Sequence, residues 1–186
     1  MRFFIALEIP EESKQELKVI QSQIKEIIPQ VRLTDNDKLH LTITFIGEQP
    51  ENLKDKLIEL INNSVVDISP FIVTPALIDG FPNIHNPKIL WIGIKGDIDK
   101  ILLIRERIKD SLASLNLDVD IRRFIPHIAV AKVTNFKISK LQEAQIQKIM
   151  QKEFEPIKVK SIKLFESVPN LGFHKHNTLA EIFLTS

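Results

Sequence analysis

The stretch His40-Leu41-Thr42-Ile43-Thr44-Phe45-Ile46-Gly47 alternates apolar and polar residues. β-branched and aromatic types dominate it, and a period of two in such residues reads as a half-buried strand. Side chains switch faces at every strand residue, so His40, Thr42 and Thr44 are expected on one face and Leu41, Ile43 and Phe45 in the core. A second stretch, Pro126-His127-Ile128-Ala129-Val130-Ala131-Lys132-Val133, has the same form, with Leu39 and Pro126 in equivalent places before the histidine.

The two histidines are 87 residues apart. Upstream of them, the apolar strands Arg2-Phe3-Phe4-Ile5-Ala6-Leu7-Glu8 and Ile89-Leu90-Trp91-Ile92-Gly93-Ile94-Lys95 are offset by the same 87, Phe4 matching Trp91. Each is followed by an amphipathic helix and then its histidine strand, and each histidine strand leads to another helix and strand. Self-similarity at a fixed spacing implies a duplicated unit. Two copies packed about a pseudo-twofold axis bring His40 and His127 opposite each other.

The chain has 186 residues, 44 % apolar and 26 % charged, and these values describe an ordinary soluble domain. A formal net charge of +1 gives no global attraction for long nucleic acid or anionic membrane, so nucleic-acid binding is expected only at an end or a short segment. There is no cysteine, which excludes disulfides, thiolate-ligated zinc and thiol nucleophiles. The apolar run Phe3 to Ile9 is too short for a signal peptide, and no stretch approaches the ~20 apolar residues that span a bilayer. A cytoplasmic protein, monomeric by default and off the membrane, is expected.

Helices are predicted over Glu11 to Ile28, residues 51–63, a segment carrying Ile101, Ile104, Ile108, Leu112 and Leu115, and about 139–152. Strands are predicted over 2–9, Val31 to Leu33, the first histidine strand, Phe71 to Ile78 (an edge or a bulge because of Pro75), the Trp91 segment, 127–133, Ile157 to Phe165 and Leu179 to Leu184. Residues 81–87 and 166–176, the latter holding Gly172, His174 and His176, read as loops. The class is α+β or mixed α/β. No Gly-rich turn follows a strand, so neither a P-loop nor a dinucleotide-binding turn is present.

Imidazole titrates near pH 6.5, so one ring can be neutral while its partner is protonated. Such a pair suits concerted general base and general acid catalysis on a phosphodiester, with the Thr42 hydroxyl donating to an anionic oxygen. Zinc needs three or four ligands, and neither a His-Glu-x-x-His motif nor a carboxylate cluster accompanies these two histidines; no metal is expected. His85 lies in a Pro/Asn loop without a nameable partner.

His40-Leu41-Thr42-Ile43 and His127-Ile128-Ala129-Val130 resemble the paired H-x-T-x motifs of the two-histidine phosphoesterases. Within that superfamily the chain is most similar to the bacterial and archaeal RNA 2′,3′-cyclic phosphodiesterases, once described as 2′-5′ RNA ligases. The resemblance extends over Arg2 to Leu7, Leu39 to Gly47, Phe81-Pro82, Pro87 to Gly93, Phe124 to His127, Phe165 to Ser167 and Leu179-Ala180. It implies an α+β fold over residues 1–186, with two pseudo-symmetric lobes of antiparallel-rich sheet, helices outside and a central cleft. It also implies hydrolysis of RNA 2′,3′-cyclic phosphate ends, or of small cyclic nucleotides, to 2′-phosphomonoesters. No cofactor is needed, and ligation by reversal is a minor activity. By position, His40 is the acid, His127 the base and Thr42 a phosphate donor.

Two residues depart from that pattern. Ala129 stands where the family carries Thr or Ser, and a methyl group donates nothing. Lys132 stands where the family often has Arg; it keeps the charge and loses the bidentate fork. A weakened enzyme is the expectation, and the alternative is an RNA-end or nucleotide-phosphate binding module without turnover. His176 falls where family members carry an aromatic that stacks on a base. Arg122 and Arg123 precede the second motif and are candidates for RNA phosphates.

Overall fold

The computed structural model describes residues 1–185. The chain runs β1 (Arg2–Glu8), α1 (Glu11–Ile27), β2 (Arg32–Leu33), β3 (His40–Glu48), α2 (Lys54–Ser64), β4 (Phe71–Phe81), β5 (Ile89–Gly96), α3 (Ile98–Ser114), β6 (His127–Lys132), α4 (Lys140–Ile149), β7 (Ile157–Val159), β8 (Ser161–Asn170) and β9 (Phe173–Phe183). The strands form one sheet in the order β7-β4-β5-β6-β3-β1-β8-β9, with β2 paired to β6 and every pairing antiparallel. The order is symmetric about the β6–β3 junction, with β5 and β1, β4 and β8, and β7 and β9 in matching places. α1 and α3 are each 17 residues long and begin 87 residues apart.

The helices cover one face. Leu17, Ile20 and Ile24 of α1, Leu57 and Ile61 of α2, Ile101, Ile104, Ile108 and Leu112 of α3 and Ile146 of α4 join the strands' apolar side chains in one continuous core. Each such Leu or Ile contributes ~1.5–3 kcal/mol by leaving water. β1 is buried on both faces: Phe3, Ile5 and Leu7 look into this core, while Phe4 and Ala6 join Phe165 in a small cluster of their own.

Both histidine strands carry a β-bulge, β3 a second one at Ile46, and the bulge nearest each histidine decides which side chains beyond it face away from the helices. In β3 the ladder pairs Ala6 with Thr42 and Ile5 with Thr44, leaving Ile43 as the extra residue. An extra residue shifts the alternation by one. Thr44 therefore turns to the helix side, 2 % exposed, and Phe45 turns to the open face, 61 % exposed. Regular alternation puts these two the other way round, so Phe45 is not core and Thr44 does not accompany His40. In β6 the ladder pairs Trp91 with Ala129 and Leu90 with Ala131, leaving Val130 extra. Ala131 is buried and Lys132 emerges. Ile43 and Val130 are themselves 87 residues apart.

Each bulge carbonyl is met by a side chain from a helix of the opposite half. Arg105 of α3 donates through Nη1 to the Ile43 carbonyl (2.5 Å) and through Nη2 to the Asp120 carbonyl (3.1 Å). Its guanidinium lies 4.4 Å from the ring centre of Phe124. Gln21 of α1 donates from Nε2 to the Val130 and Thr34 carbonyls, both at 2.9 Å. Buried peptide oxygens need such donors, because an unpaired one costs about 1–3 kcal/mol.

Other differences from the sequence reading have local causes. Pro75 sits at a bulge, as expected, and the ladder with β7 ends at Val73, so β4 has only β5 beside it there and the missing N–H does no harm. The predicted strand over 157–165 divides into β7 and β8. Residues 166–176 are not a loop but the end of β8 and the start of β9, joined by Leu171 and Gly172 at φ 44° and 88°. Two positive φ values make the tight turn that a twisted hairpin requires. Leu-Gly is a poor announcement of it beside Asn-Gly.

Arg105→Met keeps the aliphatic stem beside Phe124 and removes both donors. Its unfolding free energy should fall by on the order of 3 kcal/mol in urea titration, from two orphaned carbonyls; a loss under about 0.5 kcal/mol, the range of a neutral surface change, contradicts the bracing role.

Candidate active site

β3 and β6 meet through the antiparallel pair Leu41–Ile128, both buried in the core. That register places Thr42 across from His127 and Ala129 across from His40, with all four side chains on the face away from the helices. Diagonal neighbours on such a face lie roughly 7–8 Å apart, their Cβ atoms somewhat closer. His40 and His127 are such neighbours across the β3–β6 junction.

Each ring has two kinds of neighbour. The Nδ1 of His127 is 2.6 Å from the Ile125 carbonyl, which fixes the proton on that nitrogen and presents Nε2 outward in the neutral ring. The backbone of Lys38, again two residues upstream, faces the His40 ring and favours its charged form. Each also has an aromatic cradle. His40 lies 5.2 Å from Phe4 and 6.2 Å from Phe165 (ring centres), and His127 lies 5.6 Å from Trp91 and 5.0 Å from Phe81. Phe4 and Trp91 share the spacing of the histidines, so the repeat contains this signal. Phe81 and Phe165 come from β4 and β8 and lie outside it.

Burial sets the electrostatics. Desolvation, with the neighbouring His176 second, pushes His40 down to about 4. Desolvation also lowers His127, against the pull of the Ile125 carbonyl. Both rings are therefore neutral near pH 7 in the empty site. A bound anion reverses this by favouring the imidazolium.

Beside His127 opens a cleft of about 480 Å³, walled by Thr42, Phe45, Phe81, Ile89 and Phe124 and rimmed by Arg122 and Arg123. Arg122 is committed: its Nε and Nη2 donate to the Asp120 carboxylate at 3.0 and 2.7 Å, which holds Asp120 near 2. Arg123 has no such partner among the described residues. Lys132 lies further along the same face, opposite Ile89 on one side and Arg32 on the other.

His176 is in strand β9, its ring 5.4 Å from His40 and 4.8 Å from Phe4, edge-on to both. His174 is exposed and shares a hydrogen bond with Ser167 at 3.2 Å. His85 has a partner the sequence did not reveal, Glu143 at 3.5 Å. Among the described residues no group of three or more His, Cys, Asp or Glu could hold a metal ion, and no helix is long and apolar enough to cross a membrane.

The LigT-like phosphoesterase family model matches residues 7–91. The RNA 2′,3′-cyclic phosphodiesterase of Methanocaldococcus jannaschii is 30 % identical over 167 residues, 90 % of this chain and 91 % of that protein. The protein of the same name from Archaeoglobus fulgidus is 24 % identical over 170 residues, 90 % and 92 % of the two chains. Among solved structures, Escherichia coli LigT in complex with 3′-AMP superposes with a TM-score of 0.78 at 19 % identity, covering 100 % of this chain and 98 % of that one. A protein of Thermus thermophilus gives 0.77 at 20 % identity, with 99 % and 98 % covered. These two establish the shared α+β fold, and the match to the M. jannaschii protein over nine-tenths of both chains establishes the kinship: the chain belongs to the LigT-like phosphoesterases.

Proposed function

We propose that this protein hydrolyses RNA 2′,3′-cyclic phosphate ends to 2′-phosphomonoesters by proton transfer between two imidazoles. The observation that carries the reading is the Leu41–Ile128 pair, which sets His40, Thr42, His127 and Ala129 on one open face. The names of the similar proteins from M. jannaschii and A. fulgidus support the substrate class.

The chemistry follows from the pair. One ring takes a proton from water as the oxygen attacks phosphorus. The other gives a proton to the ribose 3′-oxygen as its bond to phosphorus breaks, leaving the phosphate on the 2′-oxygen. Thr42, across from His127, donates to a phosphate oxygen. The resemblance gives the acid role to His40. The electrostatics of the free protein argue for the reverse, since burial takes His40 down to about 4 and lowers His127 less, so that His127 charges first as pH falls. We therefore assign His127 as acid and His40 as base.

His40→Ala and His127→Ala should each lose about 10²–10⁴-fold in kcat with EDTA present throughout. A cyclic substrate with sulfur for the 3′-oxygen has a leaving group that needs no proton. It should restore His127→Ala and not His40→Ala; the opposite pattern returns the acid role to His40, and near-full turnover by both variants ends the mechanism.

The productive free protein carries one proton on the pair. It loses that proton as pH rises through the lowered His127 value and gains a second as pH falls through about 4. The kcat/KM profile should therefore be a bell with its maximum below the ordinary imidazole value of 6.5. A maximum above pH 7 contradicts the burial argument.

Ala129 favours a second reading, a phosphate-binding module that does not turn over. Ala129→Thr adds a hydroxyl beside His40 where Thr42 stands beside His127, and should raise kcat/KM about tenfold. Wild-type protein that binds a 2′-phosphate without hydrolysing the cyclic diester selects the module.

A further inference from the structure

β2 is only two residues long, and its register pairs Arg32 directly with Lys132 and Leu33 with Ala131. Leu33 and Ala131 pack into the helix-side core, so Arg32 and Lys132 project from the open face that holds the histidines. Directly opposed side chains have Cβ atoms about 4.5–5.5 Å apart, and like charges in that position repel. No carboxylate offsets them among the described residues. Asp35 shares their small cavity with Lys38, but its carboxylate is taken by the Lys38 ammonium at 3.0 Å. The bulge at Val130 puts Lys132 here; unbroken alternation would have turned it under the sheet.

With Lys38, the pair sets three cations against the one Asp35 carboxylate in this cavity, and such an excess is a cost unless an anion bridges it. A guanidinium fork beside an ammonium matches a phosphodiester, giving charge-assisted hydrogen bonds from both. Lys132 is three residues beyond Ala129, so the pair lies roughly 10 Å along β6 from the position facing His40. Lys38, on the same cavity, has its backbone facing the His40 ring. The pair is thus one step removed from the two imidazoles, on the His40 side. With a formal net charge of +1 the chain as a whole does not attract a polyanion, so a local pair such as this one is needed.

We propose that Arg32 and Lys132 form a second anion subsite that holds the internucleotide phosphodiester preceding the terminal cyclic phosphate, so that the protein selects an oligonucleotide end over a cyclic mononucleotide. The fork missing from Lys132 is supplied by Arg32 across the ladder. This inference rests on the proposed hydrolase reading for its substrate.

The test compares adenosine 2′,3′-cyclic phosphate with the dinucleotide ApA ending in a 2′,3′-cyclic phosphate, on wild type, Arg32→Gln and Lys132→Gln. Both side chains are exposed, and urea unfolding verifies that the variants stay folded. Arg32→Gln should lower kcat/KM for the dinucleotide about tenfold and for the mononucleotide less than about twofold, and Lys132→Gln should lower the dinucleotide's more than the mononucleotide's. Each should also flatten the salt dependence of the dinucleotide by about one ion. Calorimetry with the 2′-phosphorylated products of both lengths reads the same subsite without turnover. Equal binding of the two products by wild type, or proportional losses on both in Arg32→Gln, overturns the subsite. Preference for the dinucleotide that depends on Arg32, with neither cyclic substrate hydrolysed, keeps the subsite and sinks the hydrolase reading.

Discussion

The carbonyls of Ile43 and Val130 are the points on which the site's geometry turns. A bulge turns its strand's side chains over and detaches a peptide group from the ladder, and a buried detached carbonyl must find another donor. Here Arg105 meets the Ile43 carbonyl, while the Val130 carbonyl takes both Gln21 and the Thr34 N–H; each side chain comes from a helix of the half that does not own the strand. Each brace also takes a second carbonyl, in the loops at Asp120 and Thr34. The loop after Asp120 ends on Ile125, whose carbonyl holds His127. One guanidinium therefore ties the first histidine strand to the approach of the second. Displacing either half of the sheet strains hydrogen bonds that belong to the other.

The same bulges explain which parts of the site were legible in the sequence. His40, Thr42, His127 and Ala129 precede the extra residues, so simple alternation placed them on one face and the structure agrees. Phe45 and Lys132 follow the extra residues, and alternation misplaces them. Nothing in Ile43 or Val130 marks a bulge, because β-branched residues suit a regular ladder equally well. The β-α-β order left α+β or mixed α/β open and the family resemblance pointed to α+β, while the 87-residue spacing located Phe4 and Trp91. The hairpin of β8 and β9 was not legible, because Leu171-Gly172 resembles a loop and His174 and His176 carry no strand signature. Arg105 and Gln21 were invisible, since a polar residue among helical apolar positions says nothing about the carbonyl it will meet.

Burial makes the two imidazoles poor proton carriers on their own. Phe4, Phe165 and His176 around one ring, and Trp91 and Phe81 around the other, exclude water from groups that prefer to be charged in it. The cost is recovered when an anion arrives, because the field that water no longer screens acts between imidazolium and phosphate. The halves match in backbone and differ in what they offer: Thr42 against Ala129, Phe45 against Lys132. A near-symmetric frame thereby acquires a direction, with an apolar cleft beside His127 and cations beyond His40.

The claim at the centre is that one phosphorus lies between His40 and His127. A crystal structure with adenosine 2′-phosphate bound measures it directly. The account predicts a single phosphate with one oxygen within hydrogen-bond reach, about 2.6–3.2 Å, of a ring nitrogen of each histidine, and Thr42 on a third oxygen. A phosphate held by one histidine alone, or seated away from the β3–β6 junction, contradicts it.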